Sequence, residues 1–219
     1  IMFATHYLEE ADAYADRIVL ISHGRVVADG TGPQIKALAS GRTVRAPLPG
    51  ADTDALRAIG GGPAILEGMV DFACEVSVVI ARGRDGSEAS YVPVENRHKD
   101  GILDETIAPA DVAPPVAREA ERIARLIADR LGLVGVLAIE MFVARDGRVL
   151  VNELAPRPHN SGHWTSDACA TSQFEQLVRA VAGLPLGDPA RFADATMNNL
   201  IADEVNAWPD LLGESGARL

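Results

Sequence analysis

At 219 residues the chain has room for one domain or two small ones, and 47% hydrophobic with 23% charged residues is the balance of a globular protein able to bury a core. No apolar run approaches the roughly 20 residues that span a bilayer. A formal net charge of -11 opposes non-specific binding to nucleic acid, whose phosphates repel such a surface. No nucleic acid partner and no membrane segment are expected, while the charge leaves room for a local basic pocket that takes a phosphorylated small molecule. Cys74 and Cys169 lie far apart and read as reduced, mostly buried thiols, the usage of a cytoplasmic protein. Glu9 and Glu10 follow closely on Ile1, so the opening does not resemble a secretory leader, and the absence of Met at position 1 points to a piece of something longer.

In chain order, Leu8, Ala11, Ala15 and Ile18 share one side of a short amphipathic helix over 8–17. The apolar run Ile18 to Ile21, a turn at His23-Gly24 and the run Val26 to Ala28 predict a hairpin. Pro33 can open another short helix, through Ala39. Residues 40–63 change character, and the triplet Gly60-Gly61-Gly62 before Pro63 is the best domain boundary. Beyond it, Ala64 to Val70 reads as a short strand and hinge. Glu75 to Ala81, a turn at Asp85-Gly86 and Ala89 to Val94 read as a hairpin, and 95–113 as polar and irregular. Pro114 and Pro115 open a helix whose stripe is Ala120, Ile123, Ala124, Ile127 and Leu131, closed by Gly132. A second hairpin runs Val134 to Ala144, turns at Asp146-Gly147 and returns over Arg148 to Leu154. Ser172 with Glu175 forms a capping box for a helix reaching Gly183. The expected fold is α/β of the α+β kind: a mostly antiparallel sheet made from the two Asp-Gly hairpins, with the helices over 115–131 and 172–182 on one face.

The second hairpin carries chemistry. If Asp146-Gly147 is a two-residue turn, Arg145 pairs with Arg148 and Glu140 sits opposite Glu153 on one face. Like charges in that position destabilise a sheet, so the pair needs a cation or a proton. Two oxygen ligands with open positions suit Mg²⁺ holding nucleotide phosphates. Asn152 faces the other way on an ideal strand, and a bulged turn would bring it opposite Glu140 instead. The competing reading is two glutamates on a solvated surface. Downstream, Arg157, His159, Asn160, Ser161 and His163 crowd a short loop with Pro158, Gly162 and Trp164. That loop is either a substrate site or a hydrogen-bonded structural loop with Trp164 as core anchor. Glu95 to His98 read alone as a solvated loop, and Glu67 and Glu75 as surface acids.

Taken together, Glu67 to Phe72, Pro93 to Leu103, Val134 to Val143, Val151 to Trp164 and Ser172 to Leu186 resemble the 5-(carboxyamino)imidazole ribonucleotide synthases, PurK-like ligases of the ATP-grasp family. The resemblance runs from about Ala64 to the end, giving an ATP-grasp portion over 61–219, and its most specific stretch is His159 to Trp164. It implies ATP and bicarbonate forming carboxyphosphate, whose carboxyl group passes to the amine of 5-aminoimidazole ribonucleotide. It further implies an adenine hinge at Glu67, Gly68, Met69 and Val70, a ribose-binding acid at Glu75 and a nucleotide-contacting His98. Glu140 and Glu153 become Mg²⁺ ligands with Asn152 beside them. Arg157, His159 and Asn160 fall near bicarbonate and the imidazole nucleotide, and a homodimer is implied. By contrast, Phe3 to Asp12, Asp16 to Leu20 and Gly24 to Gly30 resemble the rear of an ABC-transporter ATPase, so 1–60 reads as a remnant of that family in which His6 has lost its γ-phosphate role.

Overall fold

A computed structural model describes residues 17–22, 25–31, 34, 68–99 and 101–218. The chain divides into two compact units, Ile1–Met69 and Val70–Leu219. In the first, β1 (Ile18–Ser22) and β2 (Arg25–Gly30) pair antiparallel as the expected hairpin, with Arg17 clasping the Asp29 carboxylate through two hydrogen bonds at 2.6 and 2.7 Å. The helices expected over 8–17 and 33–39 lie outside the described residues, save Arg17, which is not helical, and Gln34, which is. Residues 3–12, with His6, lie outside them too.

The second unit is built on one sheet of seven strands, antiparallel at every pairing: β3 (Phe72–Arg82), β4 (Glu88–Ser90), β5 (Val94–Lys99), β6 (Ile102–Ala108), β7 (Gly135–Ala144), β8 (Val149–Ala155) and β9 (Ala195–Asn198). The order is β8-β7-β3-β5-β6-β9, with β4 also on β3. Strands β3 and β7 are central and covered on both sides, which is why Val76–Ala81, broken only by Ser77, and Val136–Ile139 read as apolar runs without alternation. Gly68 to Asp71 form no strand, so the strand expected before the hinge is not seen among the described residues.

Two helices cover this sheet: α1 (Pro114–Arg130) and α3 (Gln173–Ala182), with the short α2 (Thr165–Ala168) between them in sequence and a further turn, α4 (Trp208–Leu211), near the end. The expectation of both helices on one face is corrected. Val76, Val78, Ile80, Leu137, Ile139 and Met141 pack against Ala120, Ala124 and Ala128 of α1. The alternate residues Val79, Ala81, Val136 and Ala138 pack with Trp164 and with Leu177 of α3. Because side chains alternate across a strand, these are opposite faces. The stripe of α1 is also shifted: three alanines are fully buried, and Leu131, at the C-cap, is 60% exposed. Small residues there let the helix lie close to the sheet.

The polar stretch after Val94 is likewise corrected, since β5 and β6 form a hairpin within it. Their inward positions include Asn96 and Thr106, both buried, and their outward ones Glu95, Arg97 and Glu105, so no apolar alternation marks them. The capping box forms only in half. Ser172 Oγ accepts from the Glu175 amide at 3.2 Å, while the Glu175 carboxylate turns to Arg179 at 2.7 Å.

Candidate active site

The register of the sheet assembles the site. Thr106 on β6 lies across from Asn96 on β5, Asn96 from Glu75 on β3, Ser77 on β3 from Glu140 on β7, and Glu140 from Glu153 on β8. Partners across a ladder share a face, so this row crosses five strands on the α3 side. The same face is apolar further along β3 and β7, and polar only at this end.

Glu140 does face Glu153, but not by the route expected. The turn holds three residues, Arg145 to Gly147, since the Ala144 amide bonds Arg148 O at 2.9 Å and the Gly147 amide bonds Ala144 O at 2.8 Å. Gly147 takes φ of +85°, which favours glycine at that corner. Arg145 therefore does not pair with Arg148, and Val143, Phe142 and Met141 pair with Val149, Leu150 and Val151. Continued, that register would set Glu140 against Asn152. A bulge between Glu140 and Met141 restores Glu153 instead and leaves Asn152 as the extra residue. The two irregularities cancel for Glu153, and Asn152 lines the same shallow depression as Glu140, Glu75 and His98.

The Glu140 side chain is 17% exposed. Burial first, and then the Glu153 charge, raise its carboxyl above the ordinary value of 4.5, while His98 and Arg157 act in the opposite direction. Glu153 stands exposed on the edge strand. Among the described residues no three His, Cys, Asp or Glu cluster as a metal cage. The donor set is two carboxylates and an amide oxygen, all hard. It fits a divalent cation that completes its shell with other oxygens, as Mg²⁺ does with nucleotide phosphates. Beside it, His98 Nδ1 and Glu75 Oε2 lie 2.5 Å apart.

The loop after β8 crosses this face. His159 is buried, with Nε2 3.3 Å from Glu140 Oε1. Arg157 donates to Pro158 O at 2.9 Å, and Asn160 Oδ1 accepts from the Ser161 amide at 3.1 Å. Gln173, fully buried at the start of α3, fixes the loop as a backbone strand would. Its Oε1 accepts from the His159 amide at 3.0 Å, and its Nε2 donates to His159 O at 2.7 Å. Thr165 adds a bond to Gly162 O at 2.6 Å and accepts from the Gln173 amide at 3.0 Å. Both readings of the loop thus hold, for different residues. Trp164 is core, edge-on to Tyr91, and His159 faces the carboxylates. His163 turns to Phe174 instead.

Not every expected residue joins this cluster. Glu67 lies outside the described residues, and Gly68, Met69 and Val70 fall across the boundary between the two units, with Met69 97% exposed. Sequence reasoning missed Ser77, Thr106, Thr165 and Gln173 and left Asn96 in a solvated loop. A lone serine inside the run Val76 to Ala81 was the available signal for Ser77, and Gln173 with Gln176 on the inner side of α3 was the signal for the glutamine clasp.

A family model for the ATP-grasp domain matches residues 29–174. The chain belongs to the ATP-grasp family. Its ATP-grasp match begins inside the stretch that resembles an ABC ATPase. An N5-carboxyaminoimidazole ribonucleotide synthase of Brucella melitensis is 51% identical over 166 residues, covering 76% of this chain and 46% of that protein. Among solved structures, the ADP complex of a purK N5-carboxyaminoimidazole ribonucleotide synthetase aligns with a TM-score of 0.70 at 40% identity, over 74% of this chain and 43% of that one. The synthetase from Thermus thermophilus aligns with a TM-score of 0.69 at 44% identity, over 75% and 45%. The chain thus spans less than half the length of these ATP-grasp relatives. No described helix is long and apolar enough to cross a membrane.

Proposed function

We propose that this chain supplies the carboxylate-bearing part of an ATP-dependent carboxylating ligase acting on 5-aminoimidazole ribonucleotide in purine assembly. ATP would phosphorylate bicarbonate, giving ADP and carboxyphosphate. The substrate amine would then attack the carboxyl carbon, releasing phosphate, losing a proton and forming the carbamate. The observation that carries this reading is the half-buried Glu140 facing Glu153 across β7 and β8, with Asn152 bulged beside them.

In this reading Glu140 and Glu153, aided by Asn152, hold Mg²⁺. Bound there, Mg²⁺ would offset the negative charge on the phosphate oxygens as it shifts to the leaving group. Glu75 and His98, joined to each other, lie on the same depression and suit a ribose and its phosphates. Glu67, Gly68, Met69 and Val70 form the adenine hinge. Arg157, His159 and Asn160, on a loop pinned by Gln173, face the bicarbonate and imidazole nucleotide. The same reading makes the protein a cytoplasmic homodimer, with the ABC-ATPase-like segment over 1–60 and the ATP-grasp portion over 61–219.

A second reading has one observation in its favour. The depression at Glu75 and Glu140 is shallow, which fits a chain that binds nucleotide weakly and does not turn it over alone. Phosphate release from Mg-ATP by the purified chain, with and without bicarbonate and 5-aminoimidazole ribonucleotide, decides between them. Release that needs both substrates and disappears in Glu153→Gln supports the ligase. Release no greater than that of the variant leaves a nucleotide-binding portion.

A further inference from the structure

A line of buried polar side chains runs along one face of the sheet from β6 to His159. Thr106 Oγ1 donates to Asn96 Oδ1 at 3.2 Å, Asn96 Nδ2 donates to Ser77 Oγ at 2.9 Å, and Ser77 Oγ donates to Ser161 Oγ at 2.9 Å. Ser161 Oγ lies 2.9 Å from His159 Nδ1. Thr106, Ser77 and Ser161 have no exposed surface, and Asn96 and His159 have 4% each. Burying so many polar groups disfavours folding unless every one is paired. An apolar core would hold three strands together equally well, so the row calls for another reason.

Its direction supplies one. The backbone amide of Ser161 points at His159 Nδ1 at 3.4 Å, while sharing its proton with Asn160 Oδ1. An amide proton cannot be moved to the other partner, so this contact disfavours a proton on Nδ1 and favours the ring proton of the neutral imidazole on Nε2. The side chains agree with that polarity. Ser161 accepts from Ser77 and so has its own hydroxyl proton for Nδ1; Ser77 accepts from Asn96; Asn96 accepts from Thr106. Each hydroxyl between the ends uses one donor and one acceptor.

We propose that Thr106, Asn96, Ser77 and Ser161 are positioning residues that lock His159 as its Nε2–H tautomer. The ring then presents a proton donor, not a lone pair, toward the Glu140 side of the site. With the opposite tautomer, a lone pair would meet the Glu140 carboxylate at 3.3 Å. Under the proposed function, on which only this last step rests, the same N–H is available to an oxygen of bicarbonate or carboxyphosphate.

The test needs no substrate. Full-length chain carrying ¹⁵N-histidine is examined by long-range ¹H–¹⁵N correlation at about pH 8.5, above the ordinary imidazole range. The His159 signals are assigned by their loss in His159→Gln. Expected is a single Nε2–H tautomer in the wild type. In Ser77→Ala, Ser161 is released from accepting and can take a proton from Nδ1, so a preference on the order of tenfold falls towards unity. Ser77→Thr, which keeps the hydroxyl, restores it. Thr106→Val, at the far end of the row, gives a smaller change in the same direction and carries the test if Ser77→Ala does not fold. An Nδ1–H or mixed tautomer in the wild type overturns the proposal. So does a tautomer that neither Ser77→Ala nor Thr106→Val alters. A chain with the locked tautomer but no ligase activity would instead count against the proposed function alone.

Discussion

Strands β3 and β7 have two faces made for different ends. On the α1 side Val76, Val78 and Ile80 meet Met141, Ile139 and Leu137, and α1 closes over them with alanines. On the α3 side the same strands are apolar at one end, through Val79, Ala81, Val136 and Ala138, and carry Glu75, Ser77 and Glu140 at the other. The first face stabilises the sheet by removing apolar area from water. The second holds like charges together, which opposes folding unless something binds them. The contrast teaches that the site is tolerated because its reverse side is so fully apolar. Mutations on the two faces should therefore move stability and activity in different combinations.

The largest effect is expected at Glu140. Under the proposed function Glu140→Gln lowers cation-dependent ATP turnover by on the order of a thousandfold, the usual weight of a metal or transition-state contact. Stability should move the other way. In the metal-free chain, burial and Glu153 raise the Glu140 carboxyl in the folded state above its unfolded value of 4.5. The folded state then binds more protons across that window, so wild-type stability is lost as pH rises through the raised folded value. Glu140→Gln removes this dependence. Its Tm in chelator should exceed the wild type's at neutral pH, and the gain should vanish below about pH 4.5. A divalent cation should raise the Tm of the wild type and not of the variant. Equal Tm in both at neutral pH would show that the two carboxylates do not strain the sheet.

On the opposite face, Ile139→Ala removes a side chain with no exposed surface, packed beneath α1. About 3 kcal/mol should be lost in chemical denaturation. Nucleotide affinity per folded molecule should stay unchanged, which separates this face from the site. Smaller again is Gly162→Ala. Its new Cβ would stand 2.5 Å from Gln173 Oε1, and Gln173 is buried and bonded on both sides to His159. The clasp must open, at about 1–3 kcal/mol. Hydrogen exchange at the His159 amide should accelerate more than exchange in α1.

These contrasts also explain what could be read in advance. The carboxylate pair was legible because a turn marker and an interrupted apolar run fix a hairpin, though its register came out right through two opposing one-residue shifts at Arg145–Gly147 and Asn152. The hairpin of β5 and β6 was not legible, because inward Asn96 and Thr106 are satisfied by each other and by Ser77 instead of by apolar neighbours. Side assignment of the helices failed for a related reason. Strands buried on both faces show no alternation, so nothing in Val76–Ala81 says which residues meet α1 and which meet α3. The hinge and the loop roles were carried by resemblance, since Gly68 to Val70 have no periodic signature of their own.

The smallest expected effect concerns the start of α3, on the site's side of the sheet. Ser172 caps the helix through the Glu175 amide, and Glu175 itself pairs with Arg179 one turn on instead of returning to the Ser172 amide. Ser172→Ala should therefore lose the value of a single cap, about 1 kcal/mol in urea unfolding. Glu175→Ala should lose only about 0.3–0.5 kcal/mol, the worth of an exposed pair at that spacing. A reciprocal box would make the two losses comparable, so their ratio reads the rotamer of Glu175 directly. Because Gln173 follows Ser172 in the first turn of α3, the two substitutions also test whether fraying there reaches the loop. The His159 amide should exchange faster in Ser172→Ala and at the wild-type rate in Glu175→Ala, since only the first frees the turn that carries the glutamine.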